Sequence, residues 1–151
     1  MRRTHHPQAL YRLIYCSQRV APAETGRAWE PFAEAARVRT EAMQITGALL
    51  CTEDNYASVL EGTRDALEHV FEQIARDRRH SEVTVLSLTP TERRRFPAHA
   101  LLTIDAGTEA YRDVFAGLRP DPARDRPRLT TGCDILRLLE RLARAKDGVP
   151  A

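Results

Sequence analysis

The stretch Gln44-Ile45-Thr46-Gly47-Ala48-Leu49-Leu50-Cys51-Thr52-Glu53-Asp54-Asn55-Tyr56-Ala57-Ser58-Val59-Leu60-Glu61-Gly62 decides the fold. Ile45 to Thr52 is short and apolar, which predicts a strand. Glu53-Asp54-Asn55 is polar turn material, and Tyr56 to Glu61 returns to β-prone residues. The two runs predict a hairpin, ended by Gly62-Thr63.

Upstream, Ala9 to Ser17 reads as a strand, with Leu10, Tyr11, Leu13, Ile14, Tyr15 and Cys16 interrupted only by Arg12. Ala21 to Arg27, holding Pro22 and Gly26, reads as a loop. Trp29, Phe32, Ala36 and Met43 recur at helical spacing and predict a first helix over Trp29 to Met43, with Pro31 near its start. Downstream, Thr63 is placed to N-cap a second helix, Arg64 to Asp77, with Leu67, Val70, Phe71 and Ile74 on one face. Val83, Val85 and Leu86 mark a fourth strand, and Leu101 to Ile104 a fifth.

The order is βαββαββ, which predicts an α+β, ferredoxin-like mixed sheet with two helices on one face. Pro120, Pro122 and Pro127 punctuate a charged linker, and Ile135, Leu138, Leu139 and Leu142 predict an amphipathic C-terminal helix. That helix either covers the open face of the sheet or pairs with another subunit. The division expected is a disordered 1–8, a domain over 9–106 and a helical extension with its Pro-rich linker over 107–151.

The bulk numbers fit one small cytoplasmic domain: 151 residues, 42% of them hydrophobic, with a formal net charge of +2. Three widely spaced cysteines, Cys16, Cys51 and Cys133, without a CxxC, argue against a disulfide framework or a zinc site. The polar start, with Arg2, Arg3, His5 and His6, is no secretory signal, and His5-His6 reads as solvated, not metal-binding. No run approaches the roughly 20 apolar residues of a membrane span. There is no Gly-rich phosphate loop, HExxH or GxSxG, so no enzyme is expected, and no second, effector domain. Basic groups at Arg76 to His80 and Arg93 to Arg95 invite nucleic acid, but aromatic residues at 6% and the missing stacking motif argue against it.

Fold alone leaves function open. Five short motifs narrow it: Tyr15-Cys16-Ser17, Ile45-Thr46-Gly47-Ala48-Leu49, Leu60-Glu61-Gly62, Ile74-Ala75-Arg76-Asp77-Arg78-Arg79-His80 and Arg95-Phe96. In that order and spacing, from about Leu10 to Ile104, they resemble the flavin-binding blue-light sensors called BLUF domains. The resemblance implies FAD, with FMN or no flavin left open, lying between the two helices. The flavin ring would face the first and third strands. It further implies that Tyr15 is the photoactive tyrosine, that Thr40 stands at the end of the first helix where the family has an asparagine, and that Asp77, Arg79 and His80 contact the pyrimidine and ribityl groups. A solvated charged helix end remains the other reading of the last three. Phe32, Ala36, Phe71 and Ile74 either line the slot between the helices or are plain core.

The departures are physical. Where the family has its bridging glutamine, two residues before Leu60, this chain has Ser58. Glutamine offers an acceptor and a two-hydrogen donor on a long arm; serine offers one hydroxyl close to the backbone. Conventional photoswitching is therefore expected to fail. The last-strand tryptophan and methionine of the family correspond to His99 and Leu101, and His99 is a candidate substitute donor near Ser58. The expected function is a flavin-binding sensor signalling through an unidentified protein partner, as a homo-oligomer. The alternative is a flavin-free, light-insensitive interaction module of the same fold.

Overall fold

The computed structural model describes residues 9–20, 30–118, 123 and 130–146. The expectations for residues 1–8, for the loop 21–27, for Trp29 and for Pro120, Pro122 and Pro127 lie outside the described residues.

The expected hairpin forms as β2 (Thr46–Cys51) and β3 (Asn55–Thr63), which pair antiparallel. Its turn is tied by Thr52, whose hydroxyl accepts from the backbone N–H of Asn55 at 3.0 Å. β1 (Leu10–Arg19) pairs antiparallel with β3 on one side and with β4 (His80–Thr91) on the other. β5 (Leu102–Asp105) runs parallel to β2, so the sheet order is β4-β1-β3-β2-β5. The first four strands have the ferredoxin-like order, and the fifth is added beyond β2.

α1 (Glu30–Ala42) and α2 (Arg64–Ala75) cover one face. Thr63 caps α2 as its side chain accepts from the N–H of Ala66 at 3.2 Å. Beneath the two helices lies a core of Leu13, Tyr15, Phe32, Ala36, Leu49, Tyr56, Leu60, Leu67, Val70 and Ile74. Successive strand residues point to opposite faces. Ile14, Cys16, Ala48, Leu50, Ala57 and Val59 therefore face the other way and meet Ile135, Leu138, Leu139 and Ala143 of a C-terminal helix. That helix, Gly132–Lys146, covers the second face of the sheet, one of the two destinations its apolar stripe allowed.

Two features exceed the sequence reading. β4 runs on to Thr91, because β1 pairs with it along its whole length despite two register shifts. A 3₁₀ turn (Thr108–Tyr111) and a short helix, α3 (Arg112–Ala116), precede the C-terminal helix, which is therefore α4. α3 is anchored by buried Phe115 and Leu118 rather than by any long apolar period.

Gly47 is required where β2 meets β3: a Cβ there would stand 2.0 Å from the carbonyl oxygen of Val59.

Candidate functional site

The register of β1 against β3 places Tyr15 directly opposite Ser58, and the register of β2 places Leu49 there too. Opposed residues of an antiparallel pair share a face. Tyr15 and Ser58 therefore lie side by side under the helix pair, each about 1% exposed. Ser58 Oγ–H donates to the carbonyl oxygen of Ala48 at 3.2 Å. The Tyr15 side chain stands beside the Ser58 hydroxyl. Burial pushes the Tyr15 phenol well above the usual tyrosine range; the neighbouring Ser58 hydroxyl opposes that and does not overcome it.

Further along the same face, Phe32 of α1 stacks on Tyr56 with ring centroids 4.5 Å apart, and lies 4.9 Å from the His80 ring. Phe71 of α2 meets the Tyr15 ring edge-on at 5.6 Å. These rings pack together on the face that α1 and α2 cover.

His80 follows α2 and is buried. Its Nε2 lies 2.6 Å from the carbonyl oxygen of Ile74 and its Nδ1 2.8 Å from Ser17 Oγ. A carbonyl can only accept, so the ring proton sits on Nε2 and Ser17 donates to Nδ1. Burial holds its pKa below the ordinary value, which favours the neutral ring.

Asp77 is also nearly enclosed, its side chain 5% exposed. Its carboxylate accepts from the Arg79 backbone at 2.9 Å and from Arg79 Nε at 3.0 Å. Arg39 of α1 reaches to 4.0 Å from the same carboxylate and so bridges the first helix to the segment after the second. Thr40 is fully buried, and its hydroxyl donates to the carbonyl oxygen of Arg37 at 2.9 Å.

Of the six residues expected from the sequence, Tyr15 and Ser58 meet directly, Asp77 and Arg79 form a pair, and His80 and Thr40 are buried with local partners. His99, the candidate substitute donor, lines a different feature from the Ser58 layer. It stands on the loop between β4 and β5, bordering a cavity against α4, and the Ser58 proton goes to Ala48 instead. Arg39 and Ser17 join the site without having been singled out. Arg39 is masked by its place among the ordinary surface charges of α1.

The group implied by the resemblance can be tested against these residues. An ordinary core beneath two amphipathic helices is apolar. Here Tyr15, Ser17, Thr40, Ser58 and His80 put five polar side chains into that layer. Hydroxyls on the floor, a carboxylate and two guanidinium groups at the edge, and apolar walls from Phe32, Ala36 and Ile74 suit a flat ring with a polar rim. The donor set thus fits a flavin, with the single hydroxyls of Ser58 and Thr40 standing where the resemblance implies amides.

Comparison with known proteins gives the same direction. The family model BLUF, sensors of blue-light using FAD, matches residues 10–101. The photoactivated adenylate cyclase subunit beta of Euglena longa is 32% identical over 81 residues, covering 54% of this chain and 9% of that relative's length. The dark-state structure of BlrB, a BLUF protein, superposes with a TM-score of 0.69 at 28% identity, covering 93% of this chain and 99% of the other. BlrP1 of Klebsiella pneumoniae, solved with FMN and cyclic diGMP, gives a TM-score of 0.58 at 26% identity over 92% of this chain and 35% of that one.

Proposed function

The chain belongs to the BLUF family of blue-light sensors that use FAD, and from that premise we propose that it is a cytoplasmic sensor domain with an altered switch, itself not an enzyme, that acts on a protein partner. The observation that carries this reading is the Tyr15–Ser58 pair at one register position on the buried floor beneath α1 and α2. A bound flavin supplies blue-light absorption and an electron acceptor. Tyr15 and Ser58 would lie beneath its ring, with Thr40, Asp77, Arg79 and His80 toward its polar rim.

The chain's own hydrogen bonds define what the switch can do. Ser58 has one proton, and Ala48 takes it. Tyr15, opposite this serine, Ser58 and the Ala48 carbonyl thus form a relay with a single committed serine proton. The end of this relay is a backbone carbonyl, which has no second role to adopt. A glutamine amide could exchange donor and acceptor; this relay cannot. Burial also keeps Tyr15 protonated throughout the physiological range, so the relay persists at any working pH.

Protein made in a flavin-replete host is expected to be yellow and to show no reversible red shift under blue light. Ser58→Gln is expected to introduce the shift. A wild-type protein that shifts would overturn the relay argument. A second reading, a flavin-free interaction module, draws support from the packed rings of Phe32, Tyr56 and Phe71. Colourless protein that takes up neither FAD nor FMN on soaking would select it.

A further inference from the structure

The opposite side of the molecule carries a second concave feature that the slot does not use. Residues 90–95 and the C-terminal half of α4 enclose a cavity of about 650 Å³, lined by Arg93, Arg95, Glu140 and Arg144 among others. A smaller cavity of about 130 Å³ shares Arg95, Glu140 and Arg144 and adds an apolar wall of Phe96, Pro97, Ala98 and Ala143. Together they form one cleft between the β4–β5 loop and α4.

Its charges are unevenly spent. Glu140 is engaged by Arg95 at 3.1 Å. Arg93 and Arg144 are exposed and make no salt bridge among the described residues. Arg141 and Arg137 continue from Arg144 at i−3 and i−7, on the same exposed face of α4. The acidic groups nearby are Glu92, on the cleft's rim, and Asp134, whose carboxylate is occupied by Thr131 at the start of α4.

The wall is rigid. Glu61, fully buried at the end of β3, accepts from the backbone N–H groups of Arg95 and Phe96 at 2.8 and 3.0 Å. Arg94 donates to the carbonyl oxygens of Glu61 and Gln44 at 2.7 and 3.0 Å. The guanidinium groups of Arg93 and Arg95 are therefore presented from a fixed backbone.

We propose that this cleft docks an acidic segment of a protein partner, with carboxylates on Arg93, Arg144 and Arg141 and one apolar side chain against the exposed Pro97 and Ala98. Guanidinium groups match carboxylates in geometry as well as charge. A nucleic acid suits the cleft less well. The cleft's rings are the buried Phe96 and the part-buried His99, short of the row of exposed aromatic residues that stacks successive bases. Glu92 and Glu140 would also repel a continuous phosphate backbone but leave room for discrete carboxylates.

The proposal deepens the reading of the chain as a sensor acting on a partner and rests on it. Its test runs in darkness on the full chain beside an absorption spectrum, so absent flavin and absent docking are read separately. The probe is a fluorescein-labelled peptide of mixed Asp and Glu with one central Leu, followed by anisotropy at low salt. Saturable binding is expected, weakened by added salt. Arg93→Ala with Arg144→Ala is expected to weaken it about fivefold, the sum of two exposed pairs. Arg141→Glu, far from any buried contact, is expected to weaken it too, and Arg64→Ala, on α2, to leave it unchanged. Replacing the central Leu by Ser is expected to weaken it further. Equal binding by the double variant, or displacement of the peptide by an oligonucleotide of equal charge at a lower concentration than unlabelled peptide requires, would overturn the proposal.

Discussion

Glu61 offers the sharpest test of how the sheet is tied to its surface loop. Its carboxylate is fully enclosed and accepts from three donors: Arg12 Nε at 2.9 Å, Arg95 N at 2.8 Å and Phe96 N at 3.0 Å. Arg12 is itself only 11% exposed, and Phe96 is 2% exposed. Glu61→Ala would strand one enclosed guanidinium and two backbone N–H groups. Breaking one side of a buried ion pair costs about 3–5 kcal/mol, and each orphaned amide about 1–3 kcal/mol. The sum overstates the loss, because Arg12 keeps its bonds to Thr91 Oγ1 and the Arg93 carbonyl oxygen. Water can also reach the exposed side of Arg95. A net loss of about 4 kcal/mol is expected, a fall in Tm of roughly 8–16 °C for a chain of this size. Glu61→Gln keeps the shape and one acceptor but loses the charge, and about 2 kcal/mol is expected. Urea unfolding followed by far-UV circular dichroism measures both, and hydrogen exchange at the Arg95 and Phe96 amides reports the local effect. Should Glu61→Ala stay within about 1 kcal/mol of wild type with Phe96 still protected, the clamp would not be what holds the loop.

Gly47→Ala is expected to cost about 3 kcal/mol or more, or to prevent folding, since its methyl group would meet the Val59 carbonyl at 2.0 Å; soluble yield and the urea midpoint decide. Alkaline stability is limited by Cys51, whose buried thiol is pushed from 9.0 to about 12. A group whose pKa is raised by folding gives its full stability below the unfolded value. Unfolding free energy should therefore hold to about pH 9 and then fall by about 1.4 kcal/mol per pH unit. Cys51→Ala should make that fall shallower. On the acid side the sign reverses. His80 is held neutral by burial, so stability is lost as pH falls below the ordinary 6.5, and His80→Asn should flatten that limb in pH-resolved thermal melts.

Local chemistry made much of this readable in advance. The polar break at Glu53-Asp54-Asn55 fixed the hairpin, and Thr63 announced α2, because both signals act over a few residues. Tyr15 and Ser58 were both expected at the site from the resemblance, but that they stand opposite one another is set by the strand register. What the sequence hid depends on partners far along the chain. Glu61 reads as the polar end of a hairpin, yet its acceptors serve donors 49, 34 and 35 residues away. A carboxylate at the end of the apolar alternation Ala57, Val59, Glu61 was the available signal, since a charge on a core-facing position needs a partner. β4 was read short because Thr89, Pro90 and Thr91 lack apolar character; they are strand only because β1 lies beside them. α3 has five residues, below the length at which periodicity can speak.

β3 joins the two halves of the molecule. Ser58 and Glu61 are three residues apart on one strand, so the pleat sends them to opposite faces. Ser58 looks into the slot beneath α1 and α2, and Glu61 grips the loop that walls the cleft against α4. A translation of β3 that changed the Tyr15–Ser58 contact would carry Glu61, and with it Arg95 and its bond to Glu140. The link is made of one strand, two backbone amides and one ion pair. None of these is Ser58. Ser58 bears on the slot side of β3, while the connection from β3 to the surface is made by Glu61, Arg95 and Glu140.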